Sequence, residues 1–260
     1  MVERYQRARG KKKLLGNHQK CWIWGRNTIL ETLRGGIWTM HELWIGDDVN
    51  PAETALARPL AEALGIPVHI SCAEELRSRC HSTEHQGFVA KMAPFPYASP
   101  DEIFQPSPRP LILVCDRIQD PFNFGAMIRS AEVLGATAVV TGNSHQVGVT
   151  SLVARTSAGA VNHLPIVRTE LILFLERCRR ENIRVVGLDM NGDVNSFTVQ
   201  LTGPVALVVG NEGQGISTEL RGLCDTTCEI PQSGKVQSLN AAVALSVLLH
   251  EAQRQNAATA

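Results

Sequence analysis

The 260-residue sequence lacks any apolar run near the roughly 18 residues of a membrane-spanning helix. Its N-terminus also lacks the apolar centre of a secretory signal peptide. Together these absences predict a protein that neither crosses a membrane nor is exported. There is no Cys-x-x-Cys pair among the 7 cysteines, and the odd count argues against a disulfide framework. Cys224 and Cys228 stand four apart, and His81 and His85 repeat that spacing beside Cys80. Neither pair has a second ligand pair nearby, so no metal site is expected. Cys115 sits inside an apolar run, as a buried thiol would. Reduced cysteines of this kind predict a cytoplasmic location.

Familiar catalytic signatures are missing as well. A dinucleotide fingerprint needs a glycine three residues after its second, and after Gly213-Gln214-Gly215 that place is taken by Thr218. Gly234-Lys235 resembles the end of a Walker loop, but Glu229 stands where the earlier glycine is required. No Gly-x-Ser-x-Gly elbow and no His-Glu-x-x-His helix occur. The common NAD, ATP, seryl-hydrolase and zinc-enzyme classes are therefore excluded.

What is present begins with a hidden charge asymmetry. The formal net charge is zero, yet residues 1–20 carry seven cations (Arg4, Arg7, Arg9, Lys11, Lys12, Lys13, Lys20) against Glu3 alone, a surplus of six. The rest of the chain is correspondingly acidic. A short basic tail of this kind reads either as a phosphate-binding arm or as a solvated terminus. An apolar fraction of 44% and a charged fraction of 19% fit an ordinary globular core.

The periodicity alternates strand and helix, which predicts an α/β protein. In residues 21–93, Asn27 is placed to cap a helix whose Ile29, Leu30 and Leu33 share one face, and Gly35-Gly36 stops it. Strands are expected over 42–45, 67–70 and 87–92, with helices over 52–64 and 73–79. Six of the 13 prolines then fall within 17 residues, from Pro94 to Pro110, and mark a linker over 94–109. Residues 110–260 form the second domain. Its strands are expected over 111–115, 136–141, 184–188 and 204–209, with helices from Phe124 to Leu134, from Leu171 to Cys178, and from Asn240 to about Arg254. The last helix is apolar nearly all round, which predicts cover on most sides by its own domain or by a second subunit.

Three stretches break this alternation. Asp116 to Arg129, Gly210-Asn211-Glu212-Gly213-Gln214-Gly215, and Ile230-Pro231 with Ser238-Leu239-Asn240 each follow a strand-like run. Such runs deliver loops to the carboxyl edge of a parallel sheet, where open α/β folds bind ligands. Three loops of this kind can converge on one site.

These stretches, in this order, resemble the three signature motifs of the SpoU/TrmH-type (SPOUT class) RNA ribose 2'-O-methyltransferases, most of all the branch that modifies guanosine in rRNA. The resemblance covers about residues 110–255. A weaker one over 21–92, including His85-Gln86-Gly87, is to the RNA-binding N-terminal domain of the rRNA-modifying branch. It implies a parallel-sheet catalytic domain with a deep trefoil knot, a small N-terminal α/β RNA-binding domain, and a homodimer formed through the C-terminal domain. It implies S-adenosylmethionine as cofactor, bent within the knot and held by Gly210, Gly215, Ile230, Pro231 and Leu239. Asn123 and Arg129 match the polar pair of the first motif, Glu212 the acid of the second, and Ser238 and Asn240 the polar pair of the third; these five form the implied catalytic set. The implied substrate is 23S-type large-subunit rRNA, favoured over tRNA because simpler tRNA-modifying members lack a separate N-terminal domain. The alternatives are a tRNA ribose methyltransferase and a non-catalytic RNA-binding or ribosome-assembly protein.

Each residue also has a quieter reading. Asn123 and Asn240 can cap helices, Arg129 can be an exposed cation, Glu212 can favour a helix start, and Gly213 and Gly215 can make only a turn. Trp22 and Trp24 either stack on bases or belong to the core. The chemistry nevertheless suits the set. A ribose hydroxyl must lose its proton as it attacks, and a guanidinium is always protonated. Arg129 is therefore expected to hold an RNA phosphate or the developing alkoxide, with Asn123 orienting it. Deleting residues 1–20 is expected to weaken RNA binding and flatten its salt dependence; an unchanged salt slope identifies the tail as a solvated terminus.

Overall fold

The computed structural model describes residues 22–105, 109–236 and 238–258; the basic tail, residues 1–20, lies outside them. The chain forms two compact units. Residues up to Pro96, joined by Val149–Asn162, make the first, and Tyr97–Gly148 with His163–Ala260 make the second.

The first unit is built on a four-stranded sheet of β1 (Trp22–Trp24), β2 (Met40–Gly46), β3 (Val68–Ser71) and β4 (Phe88–Met92), in the order β1-β4-β2-β3. β4 runs antiparallel to β1 and β2, and β3 parallel to β2. Three helices, α1 (Arg26–Gly35), α2 (Pro51–Ala63) and α3 (Ala73–Cys80), accompany it. α1 begins earlier than its sequence suggests, because Gly25 occupies the cap position at φ +98° and Asn27 is already helical. The side-chain oxygen of Gln86 accepts from Arg26 N at 3.1 Å, so a donor at the helix start that Asn27 was expected to satisfy is met from another segment. Gly36, left-handed at φ +64°, ends α1 as expected. Trp24 is core: it packs with Leu76, Cys80 and Val89. Trp44 carries Arg79 over its ring at 3.5 Å and stacks with His69 at 4.3 Å.

The second unit holds a seven-stranded sheet in which every recorded pair is parallel. After the short helix α4 (Pro100–Ile103) the chain forms β5 (Leu111–Cys115), α5 (Pro121–Val133) and β6 (Ala138–Gly142). Next comes the segment that belongs with the first unit, α6 (Ser151–Thr156) and a 3-10 turn (Ala160–Asn162), where Asn162 Nδ2 donates to Thr32 Oγ1 at 3.1 Å. β7 (Ile166–Thr169), α7 (Leu171–Arg180), β8 (Arg184–Leu188), β9 (Val194–Asn195), β10 (Val205–Val209), α8 (Thr218–Arg221), β11 (Thr226–Glu229) and α9 (Ala241–Ala257) complete the chain. The strand order is β7-β6-β5-β10-β8-β11-β9. β5, β6 and β10 are buried at every residue, as continuous apolar runs in a covered parallel sheet must be.

The differences from expectation have local causes. The proline-rich stretch is not wholly irregular: Pro100 occupies the first turn of α4, where its missing N–H costs nothing, and Ser99 with Glu102 forms a capping box. β11 reads Thr-Thr-Cys-Glu and carries no apolar run, yet Thr227 and Cys228 are buried. Thr227 Oγ1 donates to Asp193 Oδ2 at 2.7 Å, which satisfies the hydroxyl that burial would otherwise strand. Within this chain α9 buries one stripe, through Ala242, Leu245, Leu248, Leu249 and Ala252, so its own domain supplies only part of the expected cover and Val243 and Val247 are exposed. Among the described residues no helix is long and apolar enough to cross a membrane.

The end of α9 is pinned by polar contacts. Gln255 accepts from Leu201 N and donates to Val199 O, each at 2.8 Å. Glu251 receives Arg254 Nε at 2.8 Å, Arg254 Nη2 at 2.7 Å and Gln255 Nε2 at 2.8 Å. The bonds from Arg254 above all, outweighing the opposing cost of burial, hold this carboxyl down from 4.5 to about 2. A carboxyl depressed on folding stabilises the native state fully above its unfolded value, and that contribution disappears as pH falls through the folded one. Glu251→Gln is expected to flatten the pH dependence of urea unfolding between about 4.5 and 2; an unaltered slope contradicts the pinning.

Candidate active site

A cleft of about 570 Å³ opens where β8, β10 and β11 end. Its walls come from residues 188–191, 209–216, Ile230 with Gln232, and 238–241. These are the carboxyl ends of neighbouring parallel strands, the place where such sheets leave a crevice for ligands. The volume falls in the range of about 300–1,000 Å³ usual for small-molecule and cofactor sites.

The floor of the cleft requires glycine. A Cβ on Gly210, directly after β10, would stand 2.1 Å from the carbonyl carbon and oxygen of Gly215. The loop then closes on itself. Gly215 N donates to Asn211 O at 2.8 Å, and Asn211 Oδ1 accepts from Gly213 N at 2.9 Å and Gln214 N at 3.3 Å. Gly215, at φ +67°, completes the turn. Gly213 and Gly215 do make a turn, but one that carries Glu212 at its tip.

Three side chains from three distant stretches join above this loop. Asn123 lies in the first turn of α5, where Asp120, and not Asn123, caps the helix through bonds from Phe122 N and Asn123 N. Asn123 Nδ2 donates to Glu212 Oε1 at 2.6 Å, and Asn123 Oδ1 accepts from Asn240 Nδ2 at 2.9 Å. Asn240 also caps α9: its Oδ1 accepts from Ala242 N at 2.9 Å and Val243 N at 3.3 Å. The cap fixes the polarity of the relay. Because Asn240 Oδ1 must face backbone donors, its amide nitrogen faces Asn123, whose own nitrogen then faces the Glu212 carboxylate.

Gly210, Glu212, Gly215, Ile230, Ser238, Leu239 and Asn240 all line the cleft, and Asn123 joins them through the relay. Two residues picked from the sequence stand apart. Pro231 does not line the cleft, although both its neighbours do. Arg129 lies nearly two turns further along α5, exposed and outside the cleft wall. Sequence reading passed over Asp189, Met190, Asn191 and Arg221, which line the opposite wall. Arg221 is ion-paired with Asp189, and its Nη2 donates to Asn191 O at 3.2 Å. Asn191 N donates to Asp189 Oδ1 at 2.8 Å. For Asp189, Met190 and Asn191 the signal was available, since they follow β8 at the same strand edge; Arg221 ends α8 and joins them only through the fold.

The thiols nearest this region are subdued. Burial pushes Cys224 and Cys228 up to about 11, well above neutrality. Among the described residues no cluster of His, Cys, Asp and Glu is placed to hold a metal ion. The cleft residues do fit S-adenosylmethionine. Leu188, Val209, Ile216, Ile230 and Leu239 offer an apolar flank for a flat ring. The backbone of 210–215 and the Glu212 carboxylate offer acceptors for a polar, cationic part.

Comparison with known proteins agrees with this arrangement. Residues 110–250 match the SpoU rRNA Methylase family, and residues 22–98 match the family described as RNA 2'-O ribose methyltransferase substrate binding. The chain is 32% identical to YacO, named as a TrmH family tRNA/rRNA methyltransferase of Bacillus subtilis (strain 168), over 92% of this chain and 97% of that protein. It is similar to the SpoU methyltransferase AviRb from Streptomyces viridochromogenes, solved with AdoMet, at a TM-score of 0.76 and 29% identity, covering 90% of this chain and 89% of that one. The AdoMet-bound rRNA methyltransferase from Sinorhizobium meliloti superposes with a TM-score of 0.77 at 25% identity, covering 94% and 90%. With the motifs joined by hydrogen bonds beside one cleft and the relatedness extending over nearly the whole length, the chain belongs to the SpoU rRNA methylase family.

Proposed function

We propose that this RNA methyltransferase uses S-adenosylmethionine to methylate a ribose 2'-hydroxyl in structured RNA, with 23S-type large-subunit rRNA as the substrate, in the cytoplasm. The observation that carries the reading is the relay from Asn240 through Asn123 to Glu212, which ties three separate motifs together beside a glycine-floored cleft. The separate first unit matches a family of RNA substrate-binding domains, and the likeness to an rRNA methyltransferase over 94% of this chain supports rRNA as the substrate.

The cofactor supplies an electrophilic methyl group on a sulfonium. The chain supplies placement, and alignment of this kind contributes much of the acceleration of a bimolecular transfer. Backbone groups of Gly210, Gly215, Ile230 and Leu239, which line the cleft, would hold the cofactor. Asn123 and Asn240 keep Glu212 oriented, and Ser238 adds a hydroxyl at the same wall. The Arg129 guanidinium offers positive charge and N–H donors only, so its role is to neutralise an RNA phosphate or the alkoxide that develops on the ribose, rather than to take its proton.

The position of Arg129 supports a homodimer. Phe122, Arg129 and Val133 are spaced seven and four apart, on one face of α5. Phe122 and Val133 are 59% and 65% exposed, and Val243 and Val247 expose a second apolar row on α9. Ser246 Oγ donates to Ser130 Oγ at 2.8 Å, so the two helices pack side by side. A second copy covering these rows would bury the apolar surface and bring Arg129 to the subunit interface. The trefoil knot that the resemblance implies belongs to the same proposal. In this organisation residues 21–93 bind RNA, 94–109 link, and 110–260 carry the chemistry and the dimer.

The test is methyl transfer from labelled S-adenosylmethionine to total rRNA and total tRNA lacking native methylation. Label is expected at one alkali-resistant position of rRNA. Asn123→Ala should lower turnover by about 100-fold, and Arg129→Lys should be strongly impaired because it keeps the charge but loses the planar fork. Label confined to tRNA overturns the substrate, and near-normal turnover of Arg129→Lys overturns the role of the fork. Sedimentation is expected to give a dimer for the native chain and a monomer for Val243→Asp/Val247→Asp; a native monomer at micromolar concentration refutes the dimer.

A further inference from the structure

We infer that Arg117 is a positioning residue for the cofactor loop, acting with the buried carboxylate of Asp116 and lining no part of the cleft itself; the inference rests on the cofactor reading given above. The bonds that close the loop from Gly210 to Ser217 run from its own residues to Asn211 and do not fix it to the sheet. Its floor must be glycine, and Gly213 and Gly215 contribute no side chains. Something outside must fix it.

The neighbouring strand does so. Asp116 follows β5 and continues the ladder, its N donating to Val209 O at 2.8 Å. Its side chain is only 6% exposed, and its carboxylate receives Arg117 Nε at 3.2 and 3.3 Å and Ser217 N at 2.7 Å. A carboxylate this buried persists because it is paired and hydrogen-bonded. From Arg117, Nη1 donates to Gln214 Oε1 at 2.9 Å and Nη2 to Gly215 O at 3.1 Å, while Arg117 O accepts from Asn211 Nδ2 at 3.2 Å. Two adjacent residues thus hold positions 211, 214, 215 and 217 of the loop.

The backbone carries an independent sign. Arg117 has φ +57°, the left-handed region that a bulky side chain rarely occupies. Strain of this kind lasts only where the surroundings over-determine it. Here the hydrogen bonds made by Arg117 go to Asp116 or to the loop. A planar guanidinium reaches Asp116, Gln214 and Gly215 together, a geometry a lysine ammonium does not reproduce. The clamp presets the loop before any ligand arrives, so Glu212 is already within reach of Asn123, and binding need not order the loop.

The experiment compares the native chain with Arg117→Ala, Arg117→Gly and Arg117→Lys. Arg117→Gly removes the guanidinium but relieves the backbone strain. S-adenosylmethionine affinity is read by calorimetry, loop order by amide hydrogen exchange without ligand, and folding by Tm. The native chain is expected to bind the cofactor and, without it, to protect the Ser217 amide well above the amides of 232–236. All three variants should weaken binding on the order of 10- to 100-fold. They should also speed exchange over 213–217 while turnover at saturating cofactor changes less than binding, and added guanidinium should partly restore Arg117→Ala. Native-like affinity and exchange in Arg117→Gly overturn the clamp, as does an unprotected Ser217 amide in the native chain, a result that needs no variant. If the native chain binds no cofactor, the cofactor reading fails, while exchange at Ser217 still decides whether the clamp exists.

Discussion

The close backbone approach at Gly210 is the constraint on which the site depends. Where the chain leaves β10 it passes so near Gly215 and Ile216 that no side chain fits between. That contact makes the cleft floor out of backbone rather than side chains. It also makes the loop glycine-rich, and such a loop loses more conformational entropy on folding than any other. Bonds to Asn211 close the loop on itself, and neighbours supply the rest of its order. Asp116 and Arg117 hold the loop from one side, and Asn123, fixed by the cap of α9, holds Glu212 from the other. Few of these contacts are worth much in water. In a partly buried network the partners polarise one another, and each unsatisfied group would be costly.

The same economy serves several helix ends. Asp120 caps α5 and leaves Asn123 free to face Glu212; Asn240 caps α9 with its oxygen and reaches Asn123 with its nitrogen. Structural and functional roles here are not alternatives. A cap is a rigid mount, and an amide with two ends can use one for the helix and the other for the site. The walls show the same logic in the Asp189–Arg221 pair, which steadies residues 189–191 at the end of β8.

Much of the architecture was legible because β5, β6, β8 and β10 are built around apolar runs and the helices carry periodic stripes. Legibility failed where burial is achieved by pairing. β11 has a threonine hydroxyl satisfied by Asp193, and α1 has a start satisfied by Gln86 from sixty residues away. No local pattern announces such a partner. Residues 149–162 read as unremarkable within the second half of the chain, yet they pack with the first unit. The motif residues Glu212, Ser238, Leu239 and Asn240 could be picked out because glycine, proline and polar residues interrupt apolar runs there.

The sequence by itself determined the class of fold, the three strand-to-loop transitions and the residue types that meet at them, because apolar periodicity and chain punctuation are local properties. The tertiary structure alone decided which of those residues touch. It joined Asn123 to Glu212 and Asn240, kept Arg129 on an exposed helix face outside the cleft, and gave Arg117 a role that its place in the motif did not suggest. The reason is geometric. Strand order brings the end of β5 beside the end of β10, and that adjacency spans about a hundred residues of chain.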